Sequence, residues 1–379
     1  MLAFIVLNFE AVTTIKVTTK RYCYCKNLIK KIFQDNIETF PNRCYNKFIV
    51  KFKQEEQMSS IRDVANLAGV AVGTVSRVIN NSGSVKPATR RKVEEAIQQL
   101  NYIPNEIARN FKMRKSKMVA LLLPSIWNPF FSELAYYIED ELDREGYKLM
   151  LCNSGGKPEK ELYYLDMLQQ NKVAGIVGIT YNDIEDNISN NIPIVSIDRH
   201  FTKNITCVTS DNYEGGRLAL RELVKAGSRK PAFLGSVTSV FSETMKRKEG
   251  FIDEAKALGI DYTIYEKPDP VVDEEAYFTE FLNEHRHIDG VFAITDMFAA
   301  QFIERASNIG IRVPQDVKVI GYDGIQNHPF FHPILSTIRQ PVEEMARMTI
   351  SLLFKKIEGE TLEQEVYPIP VMFRQGETT

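Results

Sequence analysis

The chain reads as an all-α helix-turn-helix domain followed by a larger α/β body of parallel sheets. Three observations predict this. Residues 61–80 hold two short apolar helical periods hinged at a glycine, and a third helical period occupies 87–100. Beyond residue 117, apolar runs of strand length alternate with amphipathic stretches of helical length.

Each helix follows from spacing. Ile61, Val64, Ala65 and Ala68 recur three and four residues apart, so they share one face of a first helix. Val75, Val78 and Ile79 do the same on a second. Gly69 between them is suited to the positive φ of a tight turn, and small Ala65 lets two helices cross closely. The second helix then presents Val72, Gly73, Thr74, Ser76, Arg77 and Asn80 outward. In DNA readers such a helix lies in the major groove with its N-terminal residues at base edges. In the third helix, Val93, Ala96, Ile97 and Leu100 form the core face, and Thr89, Arg90 and Arg91 stand near its start, where phosphate is a natural partner.

A plain helical hairpin with a glycine turn has the same periodicity, so charge placement is what separates the readings. Lys plus Arg outnumber Asp plus Glu by 11 to 4 over residues 58–118, whereas the acids lead by 40 to 26 over 119–379. A net charge of −2 therefore conceals a basic module and an acidic body. Attraction to a polyphosphate explains that segregation better than solubility does.

The body's apolar runs are MVALLLPS, YKLMLCNS, VAGIVGIT, IPIVSID, KPAFLGS, DGVFAIT and VKVIGYDG. Their alternation with helical stretches predicts parallel sheets covered by helices on both faces. Roughly 260 residues suffice for two domains or lobes, each with its own core. Ligands of such sheets bind beyond the carboxyl ends of the strands, so the residues after each run are the candidates. These are Ser125 with Asn128, Phe130 and Phe131; Asn153 with Ser154; Tyr181; Asp198 with Arg199; Ser210 with Asp211; Phe241; Asp296; and Tyr322 with Asp323. Carboxylates, amides and an Arg suit vicinal hydroxyls, and aromatic faces suit the apolar side of a sugar ring. Several have a second role open to them. Asp211 and Asn212 sit where they would cap the helix near Tyr213, Asp323 would hold a turn between lobes, Arg247 would make an interlobe ion pair, and one of Phe130 and Phe131 belongs to the core.

The order and spacing of DVANLAGV, TVSRVIN, LNYIPNEIARNFK and VPQDVKVIGYDG resemble the LacI/GalR family of bacterial transcriptional repressors from about Ser59 to the carboxy terminus. The resemblance implies a helix-turn-helix domain over 58–103 and a hinge over 104–117 that folds on operator DNA and enters the minor groove. There Asn105, Arg109 and Lys112 would contact DNA and Phe111, where the family usually has Leu, would wedge a base step. Ala71 replaces the Ser that commonly caps the recognition helix, a loss of about 0.5–2 kcal/mol of helix stability. The base-reading positions fall on Val72 and Gly73, which suit a thymine methyl and close backbone approach rather than bidentate contacts.

For residues 118–379 the resemblance implies a periplasmic-binding-protein-like effector domain of two Rossmann-like lobes, with lobe one near 118–211 plus 322–338 and lobe two near 212–321 plus 340–379. Crossovers are then expected near Asp211, near Gly321 and over 337–341. NPFF, SIDR, SDNYEGGRLA, RKEGF, ITD and GYDG carry the match; they imply Arg199, Arg247 and Asp296 as direct hydroxyl ligands and Phe130, Phe131 and Phe241 as walls. The runs LCNSGGKPEKE and SIDRHF are similar to sucrose-type repressors. The implied protein is a cytoplasmic, nucleoid-associated homodimer that binds pseudo-palindromic double-stranded DNA and is released by a sugar or sugar phosphate. A catabolite-control regulator with a phosphorylated carrier protein, and a sugar receptor without gene control, are the alternatives.

Other chemistries find little footing. His285 and His287 lack the further ligands zinc needs, and no phosphate-binding glycine loop or Ser, His and carboxylate arrangement stands out. No cofactor, metal or catalytic site is expected. Cys152 and Cys207 fit a reducing cytosol. Residues 1–57 hold Cys23, Cys25 and Cys44 without sustained periodicity, and the apolar stretch 1–9 is too short to span a bilayer. KQEE at 53–56 is encodable by a purine-rich ribosome-binding run upstream of Met58. The leader is accordingly expected to be non-native or disordered, and the natural chain to start at Met58.

Overall fold

The computed structural model describes residues 59–102, 116–188, 191–201, 205–325 and 333–379. The leader and most of the expected hinge, including Asn105, Arg109, Phe111 and Lys112, lie outside the described residues. The chain divides into two compact units, residues 1–109 and 110–379.

The first unit is three short helices, α1 (Ile61–Ala68), α2 (Val72–Ile79) and α3 (Pro87–Gln99). Ser60 and Asp63 cap α1 reciprocally, and Gly69 ends it at φ 65°, the left-handed turn that favours glycine. Val64, Ala65, Val75, Val78, Val93 and Ala96 form the buried core, joined at its edge by Ile61, Ala68, Ile79, Ile97 and Leu100. All are the positions that helical spacing singles out.

The second unit contains two six-stranded sheets. One has the order β11-β5-β4-β3-β1-β2 and is parallel throughout, from β1 (Met118–Leu123), β2 (Lys148–Asn153), β3 (Gly175–Gly178), β4 (Ile194–Ile197), β5 (Thr206–Ser210) and β11 (Val366–Ile369). The other has the order β12-β10-β9-β8-β6-β7, from β6 (Pro231–Val237), β7 (Thr263–Pro268), β8 (Gly290–Ala293), β9 (Lys318–Asp323), β10 (Ser336–Arg339) and β12 (Met372–Arg374), with only the β10–β12 pair antiparallel. Alternation along β1 shows why these runs are continuously apolar. Val119, Leu121 and Leu123 pack with α4 (Pro129–Arg144) and α10 (Val342–Glu358), while Ala120 and Leu122 pack with α5 (Pro158–Gln170). The second sheet is covered by α6 (Asn212–Lys225) and α7 (Lys246–Leu258) on one face, and by α8 (Glu274–Glu284) and α9 (Asp296–Asn308) on the other.

The division into lobes differs from the expected one. No crossover occurs at Gly321: β9 runs unbroken through it, pairing Ile320 with Phe292 of β8 and Gly321 with Thr337 of β10. Lobe two therefore keeps both β9 and β10, and the chain returns to lobe one only after Arg339, for α10 and β11. It crosses a third time between Ile369 and Met372, so that β12 closes the lobe-two sheet. Residues 322–338 belong to lobe two, and α10 and β11 to lobe one, the reverse of the expected assignment. Among the described residues no helix is long and apolar enough to cross a membrane.

Candidate functional site

On α2 the exposed residues are Val72, Gly73, Arg77 and Asn80, with Thr74 and Ser76 half-buried. Ala71 gives the helix no side-chain cap, so its first N–H groups stay open at the exposed end. Asn80 instead closes the far end, its Nδ2 donating to the Ser76 carbonyl at 2.8 Å and the Ser76 hydroxyl at 3.2 Å. Val72 and Arg77 thus stand at the two ends of one accessible face.

In the body, the strand ends gather a buried polar cluster, and helix packing puts it there. A Cβ on Gly216 would stand 1.9 Å from the Arg247 carbonyl oxygen, and one on Gly250 would stand 1.9 Å from the Tyr213 carbonyl oxygen. The backbones of α6 and α7 therefore touch where their N-terminal turns cross. That contact holds Asn212 beside Arg247: Nε donates to Asn212 Oδ1 at 2.7 Å and Nη1 to the Ile294 carbonyl at 2.7 Å. The guanidinium lies 3.6 Å from the centroid of the Tyr322 ring, and its Nη1 is 3.9 Å from Asp323 Oδ1. An arginine has five N–H donors, more than these contacts use.

Asp296 and Asp323 sit beside it. Asp296, at the first turn of α9, accepts from Thr337 Oγ1 at 2.6 Å and from the Ile325 N–H at 2.7 Å. Asp323 accepts from Gln340 Nε2 at 2.8 Å at the β9 end. Burial raises the carboxyl pKa of Asp323 to about 7, with Arg247 opposing; burial and then Asp323 raise Asp296 well above the usual range. The two resist ionising together, so the pair presents both donor and acceptor character near neutral pH. Tyr181, half-buried at the end of β3, faces Asp198, Arg247, Asp323 and Asp269, and burial keeps its phenol protonated. Among the hydrogen bonds that link the lobes here, the Glu243 N–H donates to the Asp198 carbonyl at 2.8 Å, the Ser210 and Tyr322 hydroxyls pair at 3.1 Å, and Asn212 Nδ2 donates to Thr209 Oγ1 at 2.9 Å.

The expected residues divide in three. Arg247, Asp296 and Asp323 come together. Phe241 is 47 % exposed, with Lys246 Nζ 6.0 Å from its ring centroid, and is open to a ligand. The others are engaged elsewhere. Phe130 and Phe131 both enter the lobe-one core, because α4 begins at Pro129 and its first turn faces the sheet, so neither is a free wall. Asn128 caps α4, accepting from the Phe130 N–H at 2.9 Å. Arg199 turns into lobe one: it donates to the Asn182 carbonyl, lies 4.4 Å from the Phe201 ring centroid, and faces Asp183, Glu185 and Glu161. Asp198, the residue before it, adopts φ 59°, in the left-handed region. Of the second roles, Asp211 does cap α6, accepting from the Glu214 N–H at 3.0 Å, whereas the ion pair of Arg247 lies within lobe two rather than between lobes.

Spacing alone does not reveal two anchoring roles. Asn212 anchors Arg247, and Gln340 anchors Asp323. Trp127, 89 % exposed, stands on the loop after β1 whose backbone is pinned by Ser125, Asn153 and Ser132. It is the single Trp of the chain, four residues past the end of β1.

A compact helix-turn-helix unit, joined in one chain to a two-lobed α/β body with crossovers between parallel sheets, defines a DNA-reading ligand-binding protein of the periplasmic-binding type. Residues 60–105 match the bacterial regulatory proteins of the lacI family, and residues 116–377 match the family of periplasmic binding proteins and the sugar binding domain of the LacI family. The chain belongs to the LacI family. It is 36 % identical to the sucrose operon repressor of Streptococcus mutans over 85 % of this chain and 99 % of that protein. It is 37 % identical to the ribose operon repressor of Bacillus subtilis over 85 % of this chain and 99 % of that protein. Among solved structures, a periplasmic binding protein/LacI transcriptional regulator from Alkaliphilus metalliredigens complexed with D-xylulofuranose matches with a TM-score of 0.64 and 36 % identity, covering 70 % of this chain and 99 % of that one.

Proposed function

We propose that the protein is a DNA-binding repressor of a carbohydrate-utilisation operon, acting as a homodimer on a pseudo-palindromic operator and released by a sugar in the body cleft. One observation carries the reading: an open-faced α2 in a basic module shares a chain with a cleft whose Arg247, Asp296 and Tyr181 suit hydroxyl groups. Its relatives named as sucrose and ribose operon repressors support it. Those relatives are transcriptional repressors rather than enzymes, and a cytoplasmic, nucleoid-associated protein follows from the role. The sugar acts by differential affinity for lobe orientations, and the interlobe bonds at Asp198–Glu243 and Ser210–Tyr322 are where that preference is registered.

Duplexes selected from a random pool by the wild-type protein test the DNA half. Arg77→Ala is expected to lose their retention in gel shifts at least tenfold while sugar binding persists. Unchanged retention would contradict the assignment of α2.

A further inference from the structure

We infer, resting on the effector reading above, that Thr209 is a positioning residue: its hydroxyl carries a change at Arg247 of lobe two to Asp198 of lobe one, and so sets how strongly sugar and operator act on each other. Thr209 lies one residue before the end of β5 and is 1 % exposed, so it meets no ligand itself. Its Oγ1 donates to Asp198 Oδ1 at 2.7 Å, a shorter contact than the 3.1 Å to the Ser210 carbonyl. The same oxygen accepts from Asn212 Nδ2 at 2.9 Å, and Asn212 Oδ1 accepts from Arg247 Nε at 2.7 Å. All four residues are at most 2 % exposed, which keeps water from competing for these contacts.

The amide of Asn212 fixes the direction of the chain. An arginine Nε–H only donates, so the amide oxygen faces Arg247 and the amide nitrogen faces Thr209 and the Ser210 carbonyl, 3.0 Å away. Every bond from the guanidinium to the Asp198 carboxyl therefore runs donor to acceptor in one sense, an arrangement in which each member polarises the next. Burial pushes the Asp198 carboxyl pKa up, while Arg247 and then the Thr209 hydroxyl oppose that rise. The chain also closes on itself. The Asp198 carbonyl accepts from the Glu243 N–H at 2.8 Å, and Glu243 opens the turn that leads into α7, which carries Arg247. The ring crosses between the lobes twice, at Asn212–Thr209 and at Asp198–Glu243, so a change of lobe orientation is felt at both. A sugar that draws on Arg247 competes with Asn212 for the guanidinium and weakens the chain at its source. Loss of the Thr209 hydroxyl cuts the chain further along, with Arg247 still held by Asn212 and the Ile294 carbonyl.

Thr209→Val removes the hydroxyl at nearly constant shape, and Thr209→Ser keeps it. Calorimetry on the full chain, with D-ribose, D-xylulose, D-fructose and sucrose as probes, gives sugar affinity with and without saturating selected duplex; the ratio of the two is the coupling factor. Thr209→Val is expected to bind the sugar within about threefold of wild type in the absence of DNA and to lower the coupling factor by about 3- to 10-fold, the worth of one hydrogen bond. Thr209→Ser is expected to restore it. A wild-type factor in Thr209→Val, or an equal loss in Thr209→Ser, overturns the inference and leaves the sugar-effector reading in place. If Thr209→Val does not fold, Asn212→Asp tests the same link, because a carboxylate still accepts from Arg247 but cannot donate to Thr209. The ratio is insensitive to affinity lost equally in both states, and a wild-type factor in that variant also overturns the inference. A wild-type chain that binds none of the probes, or binds them equally with and without duplex, overturns the effector reading and this role of Thr209 with it.

Discussion

Replacing Arg247 with alanine is expected to weaken sugar binding at least 100-fold and to leave the protein on its operator whether or not sugar is present. The substitution removes the donors proposed to meet the sugar, and it also leaves Asn212 Oδ1, the Ile294 carbonyl and Asp323 buried without their shared partner. Breaking a buried pair from one side costs about 3 kcal/mol or more, and protonation of Asp323 absorbs part of that cost. Arg247→Lys separates the two effects. It keeps one positive charge but loses the planar fork, so it should recover most of the stability and little of the affinity. Calorimetry with denaturant unfolding on both variants provides the measurement; wild-type sugar affinity in Arg247→Ala would remove this residue from the site.

Gly250→Val is expected to unfold lobe two at physiological temperature. The nearest atom to a Cβ there is a backbone carbonyl at 1.9 Å, which no rotamer change relieves, so α6 and α7 must separate. Separation strips Phe251 and Leu220 from their shared core and pulls Asn212 away from Arg247. Overpacking of this kind costs 1–3 kcal/mol where side chains yield and more where backbone must move, about the whole stability margin of many domains. Gly259→Ala serves as the control: Gly259 ends α7 at φ 66° with open space around it, so it should cost only about 1 kcal/mol. Circular dichroism melts of the pair check this, and equal losses in the two would refute the backbone-contact argument.

The reading from sequence succeeds where a local period determines the structure. Val64, Val75 and Val93 could be placed in one core because a 3.6-residue repeat admits only one buried face, and the end of each apolar run marked a real strand end. It fails where the choice lies between two equivalent surroundings. The run through Gly321 reads the same whether its strand joins one sheet or the other, so the lobe partition came out reversed at β9 and β10. Phe130 and Phe131 follow a strand end, but their direction depends on the residue at which α4 begins. Arg199 illustrates the limit most clearly, since its identity suits a ligand while its side chain packs on Phe201 and donates to the Asn182 carbonyl inside lobe one. Asn212 reads from sequence only as a helix cap because its amide acts on an arginine 35 residues away, a pairing that the α6–α7 crossing creates.

In the proposed role the sugar cleft and the DNA-reading helix are coupled in one equilibrium. Linkage makes this testable without knowledge of the pathway: if sugar weakens operator binding by some factor, operator must weaken sugar binding by the same factor. The direct measurement is the affinity of the full chain for a binding sugar, determined by calorimetry with and without saturating selected duplex. Weaker sugar binding on DNA is expected, by about 5- to 150-fold, matching the factor from the reverse titration. Equal sugar affinity in the two states would contradict it, since a ligand that does not distinguish the DNA-bound state cannot release it.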